Sequence, residues 1–162
     1  MTISVIGLNH KSASVDVREK YSFTGDACSL LLRRIKKIPE INEVLVISTC
    51  NRTEIYADSE SGSNNIQDWL ASEKEYRAFT DHMYVYQEED AIRHLFKVVS
   101  GLDSMVVGES EVLGQVKTSY KIALENKTID SKLKRLFEYS FSVAKNVRTN
   151  TDIGGNAISF MY

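Results

Sequence analysis

Apolar and polar positions alternate over residues 2–8 (Thr-Ile-Ser-Val-Ile-Gly-Leu), which predicts a first strand ending in the polar cluster Asn9-His10-Lys11-Ser12. Residues 16–23 read as a short helix or turn. From Thr24, whose side chain can cap a helix, the period becomes helical to about Lys37, with Ala27, Leu30, Leu31 and Ile35 as its apolar stripe. Pro39, the one proline, closes that element. Two strands follow, 43–48 and 53–58, separated by a turn from Thr49 to Arg52. Residues 58–64 have the composition of a loop, 65–72 of a helix and 83–86 of a further strand. Ala91, Leu95, Val98 and Val99 fall at helical spacing and predict a helix from near Glu88 to about Ser100. A mixed bridge over 101–108 leads to a second long helix, 109–126. A third, 131–149, carries Leu133, Leu136, Phe137, Phe141, Ala144 and Val147. Strands and helices are mixed rather than strictly alternating. That order predicts an α+β (mixed α/β) domain with a small, largely antiparallel sheet packed with helices.

Residues 151–157 break the helical pattern, and a new apolar run begins at Ile158 only to stop at Tyr162. The expected organisation is therefore a domain over 1–143, with 144–162 as a helix end and the start of a linker. The 162 residues suffice for one domain with a real core, and 43% hydrophobic with 26% charged residues is ordinary for a soluble globular chain. No stretch approaches the ~20 apolar residues of a membrane span. A net charge of -2 and a pI near 5.9 argue against broad, charge-driven binding to nucleic acid. Lys132, Lys134, Arg135, Lys145 and Arg148 nevertheless crowd one late segment, as either a solvated helix face or an RNA contact. The two cysteines, Cys28 and Cys50, are too far apart for a disulfide framework or a paired metal-ligand motif, and a reducing cytoplasm is the expected setting.

Cys28 lies in an amphipathic stretch and reads as core packing. Cys50 is different. It stands where the apolar run Val44-Leu45-Val46-Ile47 gives way to Ser-Thr-Cys-Asn-Arg-Thr-Glu-Ile-Tyr. A strand-end cysteine can be a small space-filling hydrophobe, but one flanked by Thr49, Asn51 and Arg52 gains nothing from them as packing. A thiol attacks a carbonyl as the thiolate, and a nearby cation such as Arg52 favours that form. A second constellation spans 101–117, with glycines at 101, 108 and 114 for tight turns and Ser104, Glu109 and Gln115 as side chains able to hold a small polar ligand. A capped helix-loop-helix is the plainer reading. Gly-x-Gly-x-x-Gly occurs nowhere in the chain. His94 sits beside an apolar face, as a boundary residue or as a partner that tunes Cys50 or a substrate carbonyl. His10 carries the same ambiguity, and His82 is expected in an exposed loop.

Gly7-Leu8-Asn9-His10-Lys11, the nonapeptide 48–56, Arg93-His94-Leu95-Phe96-Lys97-Val98 and the stretch 101–117 together resemble the glutamyl-tRNA reductase family, in that family's order. Val147-Arg148-Thr149 followed by Ile153-Gly154 is similar to the family's exit from its catalytic domain. The resemblance implies reduction of the glutamate carried on its tRNA to glutamate-1-semialdehyde with NADPH, at the start of tetrapyrrole (porphyrin) synthesis. It implies that Cys50 attacks the glutamyl ester to leave a thioester, and that His94 stands near the reacting atoms. Thr49, Arg52, Ser104, Glu109 and Gln115 would recognise the substrate, Arg52 pairing bidentately with a carboxylate and Glu109 with the α-ammonium. It further implies an NADPH-binding domain beyond this sequence, no cofactor held by these residues, no metal, a homodimeric full-length enzyme and a possible partnership with glutamate-1-semialdehyde aminotransferase. The chain departs from the family at Ser12-Ala13-Ser14, Ser110-Glu111 and Asn150, none of which removes an expected catalytic group. Two rivals remain at this point. A cysteine acyl transferase unrelated to tRNA would share Cys50 without choosing glutamate, and a non-catalytic RNA-binding module would be indifferent to Cys50.

Overall fold

The computed structural model describes residues 2–105, 107 and 111–150. Strands β1 (Thr2–Asn9), β2 (Ile41–Ser48), β3 (Arg52–Ser59) and β4 (Tyr84–Gln87) form one sheet in the order β2-β3-β1-β4, every pairing antiparallel. Around it lie α1 (Val15–Lys20), α2 (Asp26–Lys36), α3 (Asn64–Ser72), α4 (Arg77–His82), α5 (Glu89–Val99), α6 (Glu111–Glu125) and α7 (Ser131–Asn150), with a 3₁₀ turn Lys74–Tyr76 ahead of α4. This is the mixed α/β architecture that the patterning predicts.

β3 is an inner strand, and all eight of its residues are buried. Successive side chains of a strand point to opposite faces. Its charged members and Tyr56 therefore share one face: Glu54 meets His94 of α5, Tyr56 packs edge-on against Phe137 of α7 at 5.3 Å, and Asp58 meets Lys132 of α7 at 3.3 Å. On the other face Thr53 donates to the Tyr21 carbonyl at 2.7 Å, beside Ile55 and Ala57. Alternation of this kind usually marks a half-solvated strand; here α5 and α7 cover the polar face as well.

Several local expectations change. The turn after β2 is tighter than Thr49 to Arg52, because Arg52 is already the first residue of β3. The N-cap of α2 is Gly25 (φ 54°), not Thr24, whose carbonyl accepts from Ala27 N at 3.1 Å. The buried stripe of α2 is Cys28, Leu31, Leu32 and Ile35, while Ala27 and Leu30 face solvent. Cys28 and Leu32 share an i, i+4 row beside Leu31 and Ile35, and α2 packs against β2 and α6. Residues 74–82, which carry no clear period, form the 3₁₀ turn and α4, held by Tyr76 and Phe79 against Tyr21. His82 ends α4 instead of lying in a loop, its ring against the Ala78 carbonyl. Gly114 is inside α6 and makes no turn.

The outer edge of β2 is closed by the α6–α7 connection: Val44 N donates to Thr128 O, and Thr128 Oγ1 donates to Val44 O, each at 2.8 Å. Beside it, buried Glu43 receives Asp130 N at 2.5 Å, Leu133 N at 3.0 Å and Lys132 N at 3.2 Å. A carboxylate on a strand thus satisfies the first amides of a helix distant in sequence, where its charge also suits the helix dipole. Glu43→Ala should cost about 2 kcal/mol. The check is urea unfolding, with a lower midpoint at unchanged slope.

Candidate active site

The β2–β3 turn is built by Thr49. Its amide donates to Arg52 O at 2.8 Å, and its Oγ1 accepts from Asn51 N and Arg52 N at 3.2 Å each. Ser48 Oγ accepts from Phe23 N at 2.8 Å and ties the turn to the segment before α2. Cys50 stands exposed at the tip.

Behind the turn lies a buried ionic cluster. Arg52 is 2% exposed; its Nη1 donates to Glu54 Oε2 at 3.3 Å, and its Nη2 to the Asp103 carbonyl at 2.6 Å and to Asp103 Oδ2 at 3.1 Å. Glu54, fully buried, also receives the Tyr56 hydroxyl at 3.0 Å, the Tyr84 hydroxyl and the His94 ring through Nε2. Tyr84 and Tyr86 lie against that ring, with centroids 5.5 Å and 5.0 Å away. Gly7 makes room for the cluster. A Cβ there would come within 2.8 Å of both Glu54 Cγ and the Thr53 carbonyl, and within 3.0 Å of the Tyr84 hydroxyl. Gly7→Ala should therefore displace Glu54 and cost about 2 kcal/mol, read as a lower urea midpoint together with changed His94 ring shifts by NMR.

Asp103 reaches Arg52 because α5 ends in a reversal. Gly101 (φ 76°) follows the Ser100 C-cap; its amide donates to Val98 O at 3.1 Å, and Leu102 N donates to Lys97 O at 2.8 Å. That pairing is the Schellman motif, and its left-handed position suits glycine. On the far side, Asn9 Oδ1 accepts from Lys11 N and Ser12 N, and Lys11 Nζ donates to Asp103 Oδ1 at 3.1 Å.

Burial alone would raise the pKa of Glu54. The hydrogen bond and charge of His94, the charge of Arg52 and the Tyr84 hydroxyl outweigh it and hold the carboxyl below its ordinary value. Asp103 is likewise lowered: burial opposes ionisation, but Lys11 and Arg52 prevail. Tyr56 and Tyr84 are pushed well up, by burial first and then by the Glu54 charge. His10 is lowered by burial and by the nearby Arg52 and Lys11, and its Nδ1 is buried without a hydrogen-bond partner.

The structure thus joins Arg52 and His94 through one carboxylate oxygen, and Thr49 to Arg52 through the turn. Ser104 follows Asp103, its Oγ buried and unpartnered. Gln115 takes no part in these contacts and lines a cavity of about 180 Å³ that it shares with Ser48, next to Thr49, and with Phe23, Cys28 and Ser119 among others. Glu109 lies outside the described residues. Sequence reasoning passed over Glu54, Tyr84 and Asp103; the available signal was Arg and Glu two apart in a strand between other strands, which demands buried partners.

The model of the family described as "Glutamyl-tRNAGlu reductase, N-terminal domain" matches residues 6–151. The chain belongs to this family. Glutamyl-tRNA reductase of Xylella fastidiosa (strain M23) is 47% identical over 159 residues, covering 98% of this chain and 36% of the relative. The glutamyl-tRNA reductase of Photobacterium profundum is 46% identical over 165 residues, covering all of this chain and 39% of the relative. Among solved structures, glutamyl-tRNA reductase from Methanopyrus kandleri superposes with a TM-score of 0.78 at 32% identity, over 92% of this chain and 35% of that one. The glutamyl-tRNA reductase N-terminal domain is thus the fold that carries Cys50 and the Arg52–Glu54 cluster here, and the chain spans little more than a third of its relatives' length.

Proposed function

We propose that this chain is the glutamyl-accepting catalytic domain of a glutamyl-tRNA reductase, with Cys50 as its nucleophile. The observation that carries the reading is an exposed thiol on a turn fixed by Thr49, directly ahead of a buried, charged Arg52, in a chain of this family. An aminoacyl ester is an activated electrophile, so a positioned thiolate suffices to open it. The sulfur attacks the ester carbonyl, the carbon–oxygen bond to the terminal ribose breaks, that oxygen leaves with a proton, and the glutamyl group remains as a thioester on Cys50. Arg52 pairs with the glutamyl carboxylate, Glu109 with the α-ammonium, and Thr49, Ser104 and Gln115 supply polar contacts. His94, oriented by Glu54, hydrogen-bonds near the reacting carbonyl.

The second half of the reaction, hydride transfer to the thioester, needs a nicotinamide donor. The Gly-x-Gly-x-x-Gly fingerprint of a dinucleotide site does not occur in this chain. We therefore assign the chain acyl transfer alone and expect NADPH to enter with the part of the reductases that it does not span. Glutamate-1-semialdehyde and a place in tetrapyrrole synthesis belong to that complete enzyme. Among the described residues no helix is long and apolar enough to cross a membrane.

The deciding experiment is intact mass spectrometry of the chain mixed with glutamyl-tRNA. A glutamyl adduct labile to hydroxylamine is expected. Absence of any adduct while the tRNA is bound would sink the acyl-transfer reading.

A further inference from the structure

Both terminal nitrogens of Arg52 are occupied, by Glu54 and Asp103, and the residue is 2% exposed. Nη2 spends both of its N–H groups on Asp103, on the carbonyl at 2.6 Å and on Oδ2 at 3.1 Å, so a third carboxylate can bond that nitrogen only if one of these contacts opens. The two partners are not equivalent. Glu54 is fully buried and also holds His94, Tyr56 and Tyr84, so releasing it would strand four groups at once. Asp103 keeps 12% of its side chain exposed and hangs on the reversal after Gly101. Its other close ionic partner, Lys11, has a side chain 65% exposed and lies 3.1 Å from the oxygen that Arg52 does not use. Asn9 Nδ2 adds only a long contact of 3.5 Å.

We propose that Asp103 is an internal stand-in for the substrate's carboxylate: the glutamyl carboxylate replaces Asp103 Oδ2 on Arg52 Nη2, and Lys11 keeps the displaced Asp103 paired. This rests on Arg52 being the glutamyl carboxylate's partner. The exchange trades one anion for another, so Arg52 is never left with an uncompensated buried charge. An acyl group without a carboxylate offers nothing in return for the bond it breaks. A site that leaves buried polar groups unpaired with the wrong substrate discriminates strongly. Asp103 is an effective competitor because it is ionised, Lys11 and Arg52 outweighing the burial that opposes its charge.

The test compares Asp103→Asn and Asp103→Ala with the parent chain by two readouts. One is the glutamyl-tRNA concentration giving half-maximal adduct rate. The other is binding of glutamyl-tRNA relative to deacylated tRNA, by fluorescence anisotropy. A state that must first release Asp103 binds with its affinity reduced by the fraction released, so both variants should lower the half-saturating concentration about three- to tenfold. Glutamyl-tRNA should bind more tightly by a similar factor, with deacylated tRNA unmoved. An unchanged or higher half-saturating concentration overturns the proposal. So does failure of both variants to fold, which would make Asp103 a brace that cannot be exchanged. If the parent chain forms no adduct, acyl transfer falls, and the binding ratio alone then decides for or against the exchange.

Discussion

Replacing Cys50 with serine is expected to abolish the hydroxylamine-labile adduct, with the acylation rate falling by on the order of 10³-fold or more. A hydroxyl at that position lacks the acidity of a thiol, and none of the contacts around Thr49 supplies it with a base. Cys28 provides the internal control. It is 2% exposed, and burial raises its thiol above the ordinary value, so it should stay unmodified in the parent chain. Cys28→Ser should leave the adduct intact. Peptide mapping of the glutamyl mass to Cys28, or an adduct surviving in Cys50→Ser, would remove the catalytic assignment. Because Cys50 is exposed at a turn tip and holds no core contact, the serine variant should unfold at the same urea concentration as the parent. Lost chemistry with retained stability separates a nucleophile from a packing residue.

Glu54→Gln should have the largest effect on folding, a loss of about 3–5 kcal/mol. The amide leaves the Arg52 guanidinium in the interior with Asp103 as its one remaining anion, and turns a two-oxygen acceptor for His94, Tyr56 and Tyr84 into a group with a single acceptor. For a domain of this length, that loss lowers the melting temperature by roughly 10 °C. The acid limb of stability should change too. Glu54 is held below its ordinary pKa in the folded chain, so the unfolded chain binds its proton first as the pH falls. Its contribution is complete above the unfolded value and is lost as the pH falls through that value toward the folded one. Asp103 acts in the same direction. Urea midpoints taken from pH 7 downward should therefore fall less steeply in Glu54→Gln than in the parent. A variant as stable as the parent, with an unchanged acid limb, would mean the cluster contributes no net stability.

Much of the fold was legible because its elements are marked by period. The alternation of residues 2–8 and the i, i+3, i+4 spacing in α5 and α7 each point to one buried face, and α5 does bury Ala91, Leu95, Val98 and Val99. The segment over 74–82 was not legible, because a 3₁₀ turn and a six-residue helix are each too short to display a period, and they are fixed by Tyr21 packing across from another part of the chain. The cap of α2 was missed for a different reason: a glycine with positive φ can begin a helix without a side-chain bond, leaving Thr24 with only a backbone role. At the site, the exposure of Cys50 agrees with its polar neighbours. What could not be seen is where the Arg52 charge is spent. Proximity in sequence suggested the thiol, whereas strand geometry directs the guanidinium to the face that α5 and the Gly101 reversal cover, and there it meets Glu54 and Asp103.

The buried polar face of β3 also bears on redesign. Arg52, Glu54, Tyr84, His94 and Asp103 satisfy one another, with Gly7 shaped to admit them. A library that varies Gly7, Arg52, Glu54, Tyr84 or His94 one at a time would sample almost only destabilised chains, each carrying a stranded polar or charged group or a blocked cavity. Redirecting the domain toward a different acyl group would call for exchanging the whole ionic set as a block, with well-packed apolar side chains of matching volume as one replacement that buried ion pairs tolerate.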